Sequence, residues 1–300
     1  MKKGKLKSRI IVTLLTIYAI ISAIVFLFPT VLTLSNSFMS TTEINANYGT
    51  MIDSLSGKSK STSIYVSEKV NLKLIPDKVS FSQYATVLLK TSDYLIKFWN
   101  SIILVLPIVI FQIFIACFAA YCFSRYKTKF KEVIFFIYVV IMLMPYQVIL
   151  VPNYLVIDKL GLLNTRLAII LPGIFAPFSV FLLTKIMRRI PISYVEAAKL
   201  DGANEFQIFR HIFMPLARSS IFSIALLVFI DYWNMVEQPL ILLSDTYKHP
   251  LSVFLSKINT GDIGMAFAVA VIYMIPTLLM FLYGEEYLVE GITYSGGIKG

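Results

Sequence analysis

Long apolar blocks alternate with short polar stretches along this 300-residue chain. A helix that crosses a bilayer needs about 20 consecutive, mostly apolar residues. Six blocks reach or approach that length: Ile10–Leu34, Ile102–Phe123, Val133–Val151, Leu167–Thr184, Leu216–Tyr232 and Met265–Tyr283. The pattern predicts an all-α membrane protein with six transmembrane helices. Prolines fall inside or at the edge of most of these blocks, at Pro29, Pro107, Pro145, Pro172, Pro177 and Pro276. Each removes a backbone hydrogen bond, which is tolerated in lipid where neighbouring helices cover the gap. Irregular, cavity-lining helices are therefore expected.

The polar stretches divide the chain further. Residues 1–35 hold a basic segment and the first span, residues 36–98 an outer segment, and residues 99–284 a core of five spans that includes a loop at 185–215. Residues 285–300 form a tail. The outer segment opens as a polar, turn-rich run, "STTEINANYGTMIDSLSGKSKSTS". Its second half, "VSFSQYATVLLKTSDYLIKFWNS", carries apolar residues at helical spacing and is expected to lie along the outer membrane face.

The 185–215 loop reads as two helices joined by a tight turn. Pro191 ends the helix that leaves span four, and Ser193 stands three residues before Glu196, the spacing of a capping box. That helix stops at Asp201-Gly202, where glycine can take the left-handed conformation of a helix end. Asn204 and Gln207 repeat the box spacing, and Phe206, Phe209, Ile212 and Phe213 then form an apolar face before Pro215. A helix this short is not stable alone in water. Two readings fit: a loop folded against its own membrane domain, or a docking element whose small Ala197 and Ala198 let a partner approach closely.

Composition and charge orient this picture. The chain is 57% hydrophobic, has a mean hydropathy of +0.77, and carries 15% charged residues. Soluble domains of similar size carry about 25%. The basic start "MKKGKLKSR" leads into 25 apolar residues, too many for a cleaved signal core of about 7–15. A retained first span, with the N-terminus inside, places 1–9, 124–132, 185–215 and 284–300 on the inner side. These segments hold 15 of the 27 Lys and Arg residues, against 11 in the longer outer segments. The positive-inside rule thus puts both termini in the cytoplasm. Anionic lipid also accounts for the net charge of +10 without nucleic acid.

Catalytic and metal chemistry find little support. Cys117 and Cys122 share the second block but not one helix face, and His211 and His249 are isolated, so no metal site is read. "SGKSKST" fails the phosphate-loop pattern because Ile52, not glycine, stands five residues before Gly57. No nucleophile–base set appears, so no catalytic residue is assigned. Asp231, near the end of the fifth block, is the acid within the spans, and an acid there is expensive in lipid. With Trp233, Asn234 and Gln147 it could line a substrate path, a carboxylate and an aromatic face being what a sugar needs. An aromatic belt beside a solvated carboxylate at the outer interface fits as well.

"EAAKLDGANEFQIFRHIFMPL" resembles the EAA signature of permease subunits of binding-protein-dependent ABC importers. Glu196, Ala197, Ala198, Gly202, Ile212 and Pro215 match it in type and spacing. The stretches 144–183, "WN" at 233–234 and "YLVEGITYSGGIKG" at 287–300 are similar to the maltose-transporter-type second permease of the carbohydrate class. The likeness runs from about residue 80 to the end. It implies that the loop, with Asp201 and Gly202 at its turn, is a coupling helix seated in a cleft of an ATPase subunit. It also implies that a tail with Gly296, Gly297 and Lys299 reaches towards the ATPase dimer. The implied partners are a second homologous permease, two ATPase subunits carrying ATP and Mg, and an extracellular substrate-binding protein facing the 233–264 loop. The implied setting is the bacterial cytoplasmic membrane, the cargo a sugar, and the chain itself is not an enzyme. Import of glycerol-phosphate by the same machinery, or a stand-alone ion-coupled carrier with Asp231 as its coupling carboxylate, are the alternatives.

Overall fold

The computed structural model describes residues 2–55, 72–90, 92–126, 128–257 and 263–293. Gly296, Gly297, Lys299 and the "SGKSKST" stretch lie outside the described residues. In chain order the principal helices are α1 (Lys2–Ser37), α2 (Thr41–Leu55), α3 (Ser92–Arg125), α4 (Lys129–Leu143), α5 (Tyr146–Lys159), α6 (Leu167–Ile174) and α7 (Pro177–Met187). They continue with α8 (Ile192–Leu200), α9 (Glu205–Ile208), α10 (Arg218–Trp233), α11 (Glu237–Leu242), α12 (Leu251–Ser256) and α13 (Ile263–Thr293).

Four helical stretches are long and apolar enough to cross a membrane singly: Ile10–Ser37, Ser92–Arg125, Leu167–Met187 and Ile263–Leu288. Two bent pairs bring the total to as many as six among the described residues. The expected third span is thus not one straight helix. Lys129–Leu143 and Tyr146–Lys159 meet at 106°. Pro145 causes the break: a residue before proline is pushed out of the helical region, and Met144 and Pro145 both sit at extended ψ values, 132° and 139°. The fifth span begins at Arg218 after a 73° bend. Pro177 opens α7 at its first residue, where its missing N–H costs nothing.

Two compact units divide the chain: residues 1–95 with 257–274, and residues 96–256 with 275–300. In the first, Met39, Ile44 and Tyr48 form a buried cluster with Ile263 and Phe267 packed on it. Asn36 Nδ2 donates to the Tyr48 hydroxyl at 2.9 Å. As far as Leu55 the expected turn-rich run is α2, started by Ser40, whose Oγ accepts from the Glu43 N–H. Ile44 and Tyr48, four apart, give that helix its buried face. The second half of the outer segment runs into α3, whose first turns are residues 92–98.

The second unit carries α4 to α12, most of α3 and the second half of α13. Gln112 on α3 donates to Ser179 on α7 at 2.8 Å, both fully buried. A Cβ on Gly173 would stand 3.0 Å from Ile108, so α6 and α3 approach closely. Beyond α10 the chain is folded rather than looped. Leu242, Leu243, His249, Leu251 and Val253 are buried. Asn100 Nδ2 donates to the Tyr247 carbonyl, and Lys248 Nζ donates to the Asn164 carbonyl at 2.8 Å. The 233–264 loop, expected to face a binding protein, is thus a packed structure as far as Ser256. The tail expected from residue 285 continues α13 as helix to Thr293.

Candidate functional site

The 185–215 loop folds as a helix–turn–helix whose ends are specified by neighbouring residues. α8 begins at Ile192 behind Pro191, with no side-chain cap. The expected Ser193–Glu196 box does not form, because proline, already at extended ψ, starts the helix before the serine. The other end holds. Asp201 N–H reaches the Ala197 carbonyl at 3.0 Å, Gly202 N–H the Lys199 carbonyl at 3.1 Å, and Ala203 N–H the Ala198 carbonyl at 2.9 Å. The last two bonds are the Schellman pair, with Gly202 at φ 80°. Asn204 and Gln207 then form a full capping box, each side chain bonding the other's backbone N–H at 2.8 Å.

The loop has two faces. Val195, Ile208, Phe209 and Phe213 are buried, and Ile212 is half-buried. Ile192, Tyr194, Leu200 and Phe206 are exposed, Leu200 at 89%. Glu196, Ala197, Asp201, Gly202 and Pro215 share that exposure, and Ala198 is partly covered. A face of small residues ringed by bare apolar side chains has the make-up of a contact surface.

Glu205 anchors the inward side, and the sequence alone did not single it out. Its carboxylate pairs with Lys199 at 2.8 Å across the glycine turn and with Arg125 at 3.9 Å, and accepts from the Tyr121 hydroxyl. Hydrogen bonding from Lys199, then from Tyr121, holds the Glu205 carboxyl below the ordinary glutamate range. The Lys199–Glu205 half was legible, since a cation and an anion flank a predicted tight turn. The long-range half, from Tyr121 and Arg125, was not.

A second feature lies at the far end of α10. A pocket of about 520 Å³ is lined by Tyr146, Ile230, Asp231, Tyr232, Asn234, Met235, Val236, Glu237 and Gln238. It unites Asp231 with Asn234. Gln147 comes to the same region by donating to both Glu237 oxygens at 3.4 Å. Trp233 is not part of the lining. It is 1% exposed, stacked on Phe229 at 5.3 Å and edge-on to Phe98 at 5.9 Å, and so serves the core. Tyr146 was not among the expected path residues. The bend at Pro145 carries Tyr146 there, which periodicity does not reveal.

Residues 112–285 match the family described as "Binding-protein-dependent transport system inner membrane component". The chain belongs to this family. It is 27% identical over 234 residues to arabinooligosaccharides transport system permease protein AraQ of Halalkalibacterium halodurans, covering 77% of this chain and 84% of that protein. It is 34% identical over 212 residues to the probable ABC transporter permease protein YurM of Bacillus subtilis, covering 68% and 69%. Among solved structures it is similar to a bacterial ABC transporter involved in the import of the acidic polysaccharide alginate, with a TM-score of 0.75 and 24% identity over 93% of this chain and 96% of that one. This likeness establishes the fold, and the family match together with the apolar helices makes the chain a multi-pass inner-membrane component of a transport system.

Proposed function

We propose that this chain is one of two permease subunits of an ATP-driven oligosaccharide importer of the bacterial cytoplasmic membrane. The names of the relatives support the cargo class. The observation that carries the mechanism is the 185–215 loop, a locally specified knuckle with a bare apolar outer face. Seated in a cleft of an ATPase subunit, Glu196 would meet a basic residue, Ala197 and Ala198 would allow close contact, and Gly202 would keep the turn. Ile212 and Pro215 would set where the second helix passes into α10. Two ATPase subunits holding ATP and Mg supply the energy, and this chain performs no bond chemistry. Their closure drags the docked loops, and rigid-body movement re-opens the bundle to the other side. A second permease and an external binding protein complete the assembly. Glu196→Lys should abolish substrate-stimulated ATP hydrolysis in the purified complex and leave the spans folded; wild-type stimulation in that variant contradicts the docking role.

Asp231, Asn234, Glu237 and Gln147, with the phenol of Tyr146, would form this subunit's part of the sugar path. The pocket supports that assignment: it offers acceptors for paired hydroxyls beside an aromatic ring. Asp231 and Glu237 are its charged lining residues, and no Lys, Arg or His lines it. A neutral sugar suits such a pocket, whereas uronates and phosphates would meet like charge without a compensating cation.

A further inference from the structure

The loop at 185–215 has two routes into the membrane helices. One is the chain itself, which passes from α9 through Phe209–Leu216 and turns by 73° at Ala217 before α10 begins. A push along the second loop helix therefore does not run along the axis of α10. The other route is made by side chains. Tyr121 and Arg125 lie one turn apart at the end of α3, and both reach Glu205, the first residue of α9. The Tyr121 hydroxyl also lies 3.3 Å from the Glu205 carbonyl.

We propose that Tyr121, Arg125, Lys199 and Glu205 form a latch that hands movement of the docked loop to α3, making Tyr121 and Glu205 positioning residues for transport. This rests on the proposed seating of the loop on an ATPase. Three observations support the latch. First, Lys199 belongs to α8 and Glu205 to α9, so one carboxylate fixes the two loop helices to each other and to α3. Second, the Arg125 side chain is only 11% exposed and its Nε is buried with no hydrogen-bond partner. A cation so placed needs a nearby anion, and Glu205 is the carboxylate that supplies it. Third, an apolar joint backs the polar one. The Tyr121 ring packs edge-on against Phe209 at 5.3 Å and Phe213 at 4.9 Å, and Phe118 stacks on Phe209 at 4.7 Å.

From α3 the movement has somewhere to go. The Gln112–Ser179 hydrogen bond ties α3 to α7, and Arg188 at the end of α7 donates to the Phe123 carbonyl at 3.3 Å while its guanidinium lies over the Phe135 ring of α4. Glu205 thus stands at the entry to a connected set of spans, and discrete side-chain contacts of this kind can carry a coupling energy between sites.

The test uses the purified complete transporter in nanodiscs, with Cys117 and Cys122 replaced by serine and spin labels at positions 110 of α3 and 227 of α10. Trapping with Mg-ATP and vanadate is expected to shift the distance between the labels in the otherwise wild-type complex. In Tyr121→Phe/Glu205→Gln the shift should fall to about half or less, while co-purification with the ATPase and basal ATP hydrolysis stay within about twofold. Glu205→Gln and Tyr121→Phe alone, each of which keeps part of the cluster, should show intermediate shifts. A full shift in both single variants, or in the double variant, overturns the latch. A wild-type complex that shows no shift would overturn the ATP-driven reading itself, which separates the two failures.

Discussion

Ala203 donates its backbone N–H to the carbonyl of Ala198 at 2.9 Å, closing the turn between the two loop helices over Gly202. Gly202 sits at φ 80°, and a Cβ there would meet nothing within 4 Å. The demand at this position is conformational, not steric.

Gly202→Ala should therefore fold and cost the loop about 1 kcal/mol, the usual penalty of a left-handed conformation with a side chain. Gly202→Pro cannot reach that φ, since its ring holds about −65°. It should abolish substrate-stimulated ATP hydrolysis while circular dichroism reports intact membrane helices. Stimulation at the wild-type level in Gly202→Pro would mean that the shape of the turn does not matter.

Glu205 makes the loop sensitive to acid. Its folded-state pKa is lowered, first by Lys199 and then by Tyr121. A lowered carboxyl pKa gives stability that is complete above the unfolded value, about 4.3, and disappears as pH falls through the lower folded value. The melting-temperature difference between wild type and Glu205→Gln should thus stay constant from neutral pH down to the ordinary glutamate range and shrink below it. A difference that grows on acidification would reverse the assigned shift.

The pocket at the end of α10 makes a statement about cargo. Asp231 and Glu237 are its charged lining residues, with no cation beside them in that lining. With binding protein present, neutral oligosaccharides should stimulate the ATPase more strongly than uronate oligosaccharides of equal length. Asp231→Asn/Glu237→Gln should narrow that gap by roughly tenfold or more, one charged hydrogen bond being worth about 1.5–3 kcal/mol and about 1.4 kcal/mol being tenfold. An unchanged preference would place selection elsewhere in the assembly.

Much of this was legible in the chain because lipid enforces a simple code. A backbone with no water to bond must satisfy itself as a helix or a closed barrel, and apolar runs of about 20 residues are the mark of the helix, so apolar length marked the spans. Asn204, Gln207 and Gly202 act on their own neighbours, and local chemistry reads well from sequence. Three kinds of feature did not. Pro145 was visible, but the 106° turn it sets was not, because a proline permits a bend without fixing its size. The α2 helix hid in a polar run because Ile44 and Tyr48, the buried apolar residues among those described on it, are too few to make a pattern. Tyr121 and Glu205 are 84 residues apart, and nothing in either local pattern announces the other. Trp233 misled for a related reason: beside Asp231 in sequence, it points instead into an aromatic stack with Phe229 and Phe98.

The central claim is that the 185–215 loop is gripped from the cytoplasm by an ATPase. A photo-crosslinking residue at position 197 or 200, illuminated in intact membranes, tests it most directly. The account predicts a crosslinked band containing the ATPase subunit, and no reaction of Leu200→Cys with an impermeant thiol reagent added outside. Crosslinks to lipid alone, or labelling of position 200 from the external side, would contradict it.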